Sequence, residues 1–478
     1  MTTMKTLSLN LEPKLSHRPL AWLWALSLFC ALCLGAQSAR SQAASAPALA
    51  DSITSMPAHS TPAAAVAPSA TGFFIRPVDD AWRAVLPRDA VAATQAYMDR
   101  LPAATVARAN AYYEGGYWLQ LWDWLVGMAV AGLLLWTRPS TALRDWAGRR
   151  LKWLPLRDAV YGAAYAAAGW GLSLPLTVYR GYVREHAYSM ATQTFGAWFG
   201  EQLIGLSVAM LAAAILVSLL YAVLRRAGGA WWLWGTGVTM AFMMLAMVVA
   251  PVYVEPLFNT YKPVEEGPVK TAVLRMAHAN GVPVDNVYVF DASRQTTRIS
   301  ANVAGLFGSA AVRLNDNLLR RSSEPEILAV MGHEIGHYAM NHIPKMLVMF
   351  GVIVLLGFAI SQAVMTRLLA RWGGRWRVQG AADVASLPLL AAVLSTYLLL
   401  ATPVFNTITR TQEVEADIWG LNLAREPHGE AEVLLKLVEY RKPDAGALEE
   451  TIFFTHPSTR TRIYNAMRWR EQMLPAAP

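Results

Sequence analysis

The chain has 478 residues, of which 55% are hydrophobic and only 15% charged, with a net charge of +8. An average soluble domain carries about 25% charged residues, so the composition excludes intrinsic disorder, a coiled coil and an ordinary cytosolic enzyme. The apolar excess either fills a very large core or faces lipid, and the length of the apolar blocks decides which.

Seven stretches have bilayer length: about 19–37, 117–137, 158–180, 200–224, 230–253, 345–369 and 386–407. At 1.5 Å per residue each can cross roughly 30 Å of hydrocarbon. The 158–180 stretch is rich in Ala, Gly and Tyr, and small residues suit close helix contact in a membrane bundle. Trp118, Trp122, Trp124, Trp231, Trp232 and Trp234 cluster at span ends, as an interfacial belt does.

In chain order, residues 1–46 begin with Lys5, Lys14 and Arg18, continue into an apolar run and close on AQSARSQAASA. A signal peptide cleaved after Ser38 or Ala46 and a retained first span fit this pattern equally. Cys30 and Cys33 both lie there, which leaves no disulfide framework and no Cys metal site. Residues 47–116 read as an Ala/Ser/Pro linker followed by an extramembrane helical segment. Four spans follow over 117–253, then a polar block over 254–344 in which VYVFDA and AAVRLND are strand candidates. A transmembrane hairpin over 345–407 separates that block from a second polar segment, 408–478. The two polar segments are expected to assemble one domain.

The basic residues fall in short loops beside the spans: Arg138 to Arg157, Arg225–Arg226, and Arg367 to Arg377. They predict contact with a lipid bilayer and no nucleic-acid partner. All share one side in a seven-span count. The positive-inside rule makes that side cytoplasmic and puts the polar domain on the outer face.

The chemistry lies in SSEPEILAVMGHEIGHYAMNH. Ser323 and Glu326 form a capping-box pattern that starts a helix, and Pro325 is tolerated in its first turn. His333 and His337 are four apart, so they project from one face and can share a zinc ion, with Glu334 in reach of a water on it. A helix carrying two solvated histidines is the competing reading. A catalytic zinc wants a third protein ligand. RTQEVEADIWGLNLA reads as a helix continuing from the last span, with Glu413 and Asp417 on one face and Glu415 pointing elsewhere. A Glu413 ligand with Asp417 bonding a ligand imidazole is sensible chemistry; a solvated acidic helix end fits the spacing equally. His456 in THPSTR fits a cap or surface residue, Asn302 fits a turn residue, and His342 reads as structural.

At these residues the chain resembles the type I CAAX prenyl protease family of integral-membrane zinc metallopeptidases, in a bacterial version. The likeness rests on PLFNTYKPVEEG (256–267), DASRQTTRISANVAGLFG (291–308), LNDNLL (314–319), HEIGHYAMNH (333–342), RTQEVEAD (410–417) and HPSTRTRI (456–463). The resemblance implies one zinc per chain held by His333, His337 and Glu413, with Glu334 as general base and acid. It implies that Asp417 orients a ligand, that His456, supported by Arg462, bonds substrate or oxyanion, and that Arg410 makes a structural ion pair. It places Asn302 on a strand edge by the metal, where Ala301 to Ala304 would pair with an extended peptide. It also implies a cytoplasmic catalytic side, opposite to the side the basic loops indicate.

The expected fold is mainly α: a polytopic helical membrane protein of six or seven spans with a small α+β zincin-like catalytic domain. The expected function is zinc-dependent endopeptidase action on peptides or proteins, including membrane or exported ones. A transporter, channel or chaperone with a regulatory zinc site is the alternative. Oligomeric state has no signal in the sequence.

Overall fold

The computed structural model describes residues 75–304 and 310–475. The signal or first-span stretch of 1–46 and the Ala/Ser/Pro linker lie outside the described residues. Helices α1 (Asp80–Val85) and α2 (Ala90–Met98) start where Asp79 and Asp89 accept hydrogen bonds from the backbone N–H groups of Trp82 and Ala92, satisfying donors that a helix start leaves unpaired.

Helix α3 (Ala103–Trp136) runs 34 residues without a break. The boundary expected at 116/117 therefore falls inside it. AATVARANAYYEGG contains no proline, and a change from polar to apolar side chains does not interrupt the backbone ladder. Helices α4 (Pro139–Arg150) and α5 (Leu154–Val178) lead through a π turn at Tyr179–Val183 to α6 (Arg184–Ala187), α7 (Phe195–Ala227) and α8 (Trp231–Val249). α5 lies along α7, and a Cβ at Gly162 would sit 2.5 Å from the Ala213 carbonyl oxygen. The small residues of this stretch thus bring two backbones into contact. At the turn between α7 and α8, Gly228 takes φ +52°, a conformation a side chain disfavours.

The polar block supplies β1 (Tyr261–Pro263), α9 (Pro268–Ala279), β2 (Val287–Phe290), β3 (Ala301–Ala304), β4 (Ala311–Asn315), α10 (Asp316–Arg321) and α11 (Glu324–Ala339). The sheet order is β1-β2-β4-β3. The β2–β4 pair is parallel and the other two pairs are antiparallel, with Asn302 opposite Arg313. Among the described residues β3 is thereby an edge strand. Val287, Val312 and Leu314 pack with Met331 and Ile335 of α11 in one core.

Two long helices follow, α12 (His342–Trp376) and α13 (Leu387–Ala424), then α14 (Pro427–Leu437), α15 (Ala447–Phe453) and α16 (Thr459–Met473). α12 has 35 residues and α13 has 38, roughly 52 and 57 Å at 1.5 Å per residue. Both exceed a hydrocarbon core of about 30 Å, so each extends into the polar domain. The limits expected at 344/345 and 407/408 are changes of surroundings along continuous helices.

Among the described residues, four stretches are long and apolar enough to cross a membrane: Ala103–Trp136, Phe195–Leu257, His342–Trp376 and Val384–Ala424. The second holds both α7 and α8. α5 is long enough but is not among these stretches.

The basic loops meet at one end of the bundle. Arg144 pairs with Asp383 and donates to the Arg377 carbonyl, Arg225 pairs with Asp158, and Arg138 donates to the Arg375 carbonyl. The polar domain lies at the other end of α12 and α13. α1 and α2 pack there, where Tyr97 and Ala93 join Leu434, Ile463 and Met467 in a core.

Candidate active site

Two helices carry the ligand set. α11 opens with the Ser323/Glu326 capping box, and Glu326 is also paired with Lys436 of α14 at 2.6 Å, both buried. This ties the helix start to its neighbour. Farther along, α11 crosses α13 at very short range. A Cβ on Gly420 would lie 2.7 Å from the His333 nitrogen, and one on Gly336 would lie 3.0 Å from the Ala416 carbonyl. The pairs Gly332/Gly336 and Ala416/Gly420 are small residues four apart on each helix, a pattern that lets backbones touch.

This crossing brings His333, His337 and Glu413 together, their ligand atoms all within 4.8 Å of one another. His333 Nε2 lies 3.0 Å from His337 Nε2 and 3.2 Å from Glu413 Oε2, and His337 Nε2 is 3.6 Å from that oxygen. Glu413 Oε2 is buried and accepts no hydrogen bond of acceptable geometry, despite these short separations. Two imidazole nitrogens and a carboxylate oxygen turned toward one point are the donor set of a catalytic zinc site. Burial pushes the His333 imidazole down, and the bond to Asp417 with the negative charges of Asp417 and Glu413 outweighs it, raising it to about 10. The cluster thus favours a positive charge, and its residues fit a divalent cation.

The surrounding groups orient the cluster. His333 Nδ1 meets Asp417 Oδ1 at 2.7 Å. Arg462 grips Asp417 with bonds of 2.8 and 2.6 Å and lies 3.4 Å from Glu430. Arg462 therefore acts on Asp417; its expected support of His456 is not what its guanidinium touches. Helix α16 begins after Ser458, which turns Arg462 inward toward α13. Arg410, expected in an ion pair, instead donates at 2.8 Å to the carbonyls of Glu450 and Phe454. It holds the segment that presents His456 by bonding carbonyls at the C-terminal end of α15.

His456 Nε2 sits 3.0 Å from Glu413 Oε2, and Thr455 Oγ1 lies 3.0 Å from its Nδ1. Burial, helped by the charge of Arg441, lowers His456 to about 4, so it is a neutral imidazole near neutral pH. Glu334 is buried, and its Oε2 has no hydrogen-bond partner among the described residues. Burial pushes it up to about 8, with Glu413 adding and His333 and Arg462 opposing. A backbone bond from Val303 also reaches it, so the edge strand β3 borders the same point. Asn302 Oδ1 is buried without a partner among the described residues. His456 and Glu334, with Ala301 of β3, line a cavity of about 480 Å³ whose wall also includes Tyr113 and Tyr117 of α3 and Phe454.

Three groups escaped the sequence reading. His342, taken there as structural, has its Nδ1 2.8 Å from His337 Nδ1 and its Nε2 2.8 Å from Glu415 Oε2. Arg441 approaches His456 Nε2 at 3.4 Å, and Glu430 closes the Arg462 side. Only the tertiary fold reveals Arg441 and Glu430, whereas the two small-residue pairs at the crossing are visible in the sequence.

A polytopic helical domain joined to an α+β domain with this ligand set defines a membrane metallopeptidase. Comparison with known proteins agrees. Residues 86–260 match the family model described as CAAX prenyl protease N-terminal, five membrane helices, and residues 263–470 match Peptidase family M48. The chain belongs to peptidase family M48, in its CAAX prenyl protease branch. It is 28% identical over 297 residues to the uncharacterized metalloprotease YhfN of Bacillus subtilis, covering 62% of this chain and 70% of that one. To CAAX prenyl protease 1 of Saccharomyces cerevisiae it is 29% identical over 195 residues, 40% of this chain and 43% of that protein. The match thus spans under half of the yeast relative. The crystal structure of S. mikatae Ste24p shares the fold with a TM-score of 0.65 at 19% identity, covering 82% of this chain and 100% of that one. Membership implies a metal and peptide or protein substrates.

Proposed function

We propose that the chain is a zinc-dependent membrane endopeptidase, with one zinc per chain held by His333, His337 and Glu413. The observation that carries the reading is the convergence of these three ligand atoms within 4.8 Å beside a buried, unpartnered Glu334 oxygen. A zinc ion bound there supplies Lewis acidity and lowers the pKa of water it binds. The remaining steps fall to the protein. Glu334, pushed up to about 8, takes a proton from the attacking water and delivers it to the leaving amine, a role that needs a pKa near the working pH. Neutral His456 faces the developing oxyanion. Arg462 acts through Asp417 and keeps the His333 imidazole turned toward the cluster.

Substrate binds as an added strand along Ala301 to Ala304, with Asn302 bonding its backbone. β-Augmentation of this kind reads the main chain and selects little for sequence. The cavity wall includes α3, a helix long enough to span a bilayer, which favours chains that reach the site from the membrane. Membrane or exported proteins are the substrates this suits. Cleavage behind a prenylated cysteine is the narrower activity that the names of the relatives suggest.

The basic loops gather at the bundle end remote from the metal cluster, which supports a bacterial inner-membrane protein with its catalytic side periplasmic. Reporter fusions at Arg375 and at the C-terminus test this, and a cytoplasmic C-terminus overturns it. The activity is tested on purified protein with a casein or peptide substrate. Hydrolysis is expected to disappear with chelator and return with zinc, while Glu334→Gln retains zinc and loses cleavage. Substantial cleavage by that variant, free of contaminating protease, defeats the mechanism.

A further inference from the structure

The two histidines of the ligand set are backed differently. His333 Nδ1 faces a carboxylate, Asp417, as ligand imidazoles commonly do. His337 Nδ1 faces another imidazole, that of His342, at 2.8 Å. His342 is fully buried, and its far nitrogen meets Glu415 Oε2 at 2.8 Å. Glu415 in turn lies 3.4 Å from Lys345 Nζ. The proton positions along this chain are fixed by elimination. For His337 to turn a lone pair on Nε2 toward the cluster, its proton must sit on Nδ1. His342 Nδ1 must then accept, which places the His342 proton on Nε2, where Glu415 is the acceptor. If His342 held its proton on Nδ1, His337 would have to accept there and carry its own proton on Nε2, and the ligand lone pair would be lost.

Backbone geometry puts the histidine in place. Asn341 adopts φ 58° and ψ 37° between α11 and α12, a left-handed conformation that Asn tolerates better than most residues. The chain turns there, so the first residue of a membrane-crossing helix reaches back to the ligand on the preceding one. Glu415 comes from α13, two residues beyond Glu413 and on a different face of that helix.

We infer that His342 and Glu415 are positioning residues that fix the tautomer of His337, a second support opposite the Asp417–Arg462 pair. The inference rests on the metallopeptidase reading and adds to it a source of metal affinity. The test uses the full chain in detergent. Zinc affinity is measured by competition with a chromophoric chelator, and ligand geometry by the visible absorption of the cobalt-substituted protein. His342→Ala is expected to weaken zinc binding about 10–100-fold and to alter the cobalt spectrum. His342→Gln, whose amide oxygen can accept the same N–H, recovers part of the loss. Glu415→Ala shifts affinity in the same direction and Glu415→Gln less so. The Glu415 side chain is 38% exposed, so its removal leaves a foldable protein even where His342→Ala does not. Wild-type affinity and spectrum in His342→Ala, or in Glu415→Ala where His342→Ala cannot be purified, overturn the inference alone. Absence of zinc affinity in the wild type overturns the metallopeptidase reading and the inference with it.

Discussion

Replacing Gly420 by Ala tests whether the ligand set depends on the contact between α11 and α13. A Cβ there would stand 2.7 Å from the His333 nitrogen, 2.9 Å from the Gly332 carbonyl carbon and 3.0 Å from the His333 Cα. Non-bonded heavy atoms prefer about 3.5 Å or more, so the helices must part by roughly 0.8 Å. All three close atoms are backbone, and no side-chain rotation relieves them. Overpacking of this kind costs about 1–3 kcal/mol, while Gly→Ala within a helix contributes about 1 kcal/mol in the opposite direction. With backbone on both sides the cost falls at the upper end, leaving a net destabilisation of about 2 kcal/mol by these figures. The functional effect is larger than the stability loss suggests. His333 and His337 lie on one side of the seam and Glu413 on the other, and metal bonds tolerate shifts of only about 0.2 Å. Gly237→Ala on α8 is the control, since nothing lies within 4 Å of the added carbon. The assay pairs thermal unfolding in detergent with zinc affinity by chelator competition. Gly420→Ala should unfold at lower temperature and bind zinc more weakly, and Gly237→Ala should do neither. A Gly420→Ala protein as stable as the control with unchanged zinc affinity would refute the reasoning.

The buried Lys436–Glu326 pair predicts that Lys436→Met leaves an unpaired carboxylate and costs about 3–5 kcal/mol. Adding Glu326→Gln should restore much of that, and equal unfolding temperatures for the single and double variants would contradict it. Glu432, buried and bonded to the Val78 N–H at 3.0 Å, is pushed up to about 7 by burial, against that bond and with the charge of Glu326. The native state therefore holds a proton that the unfolded chain releases near 4.5. This contribution is complete below about pH 4.5 and is lost as pH rises through about 7. Glu432→Gln should remove about 1.4 kcal/mol per pH unit of slope from stability between those values; parallel profiles of unfolding temperature against pH for the two proteins would rule it out.

Much of the site was legible in the residue spacing. His333 and His337 share a face because four residues make about one helical turn, and Glu413 and Asp417 do so for the same reason. The Ser323/Glu326 box marked the start of α11, and the runs VYVFDA and AAVRLND marked β2 and β4 to within a residue or two. The limits drawn at 116/117, 344/345 and 407/408 followed polarity. Polarity reports what surrounds a helix, and α3, α12 and α13 continue through those changes because nothing breaks their hydrogen bonds.

Roles that depend on distant partners were not legible. The resemblance made Arg462 a companion to His456, yet the turn at Ser458 aims it at Asp417. The resemblance implied an ion pair for Arg410, and the fold gave it carbonyls instead. His342 had no visible partner because Glu415 lies 73 residues away in sequence.

By itself the sequence determined the class of molecule: apolar blocks of bilayer length, two polar segments, and a helix face bearing HExxH. Those are local properties, set by composition and by the 3.6-residue period. The tertiary structure decided which groups touch. The close passage of α11 over α13, permitted by four small residues, turns two separate helix faces into one ligand set, and that contact exists only once the hairpin of α12 and α13 has folded back on the polar domain.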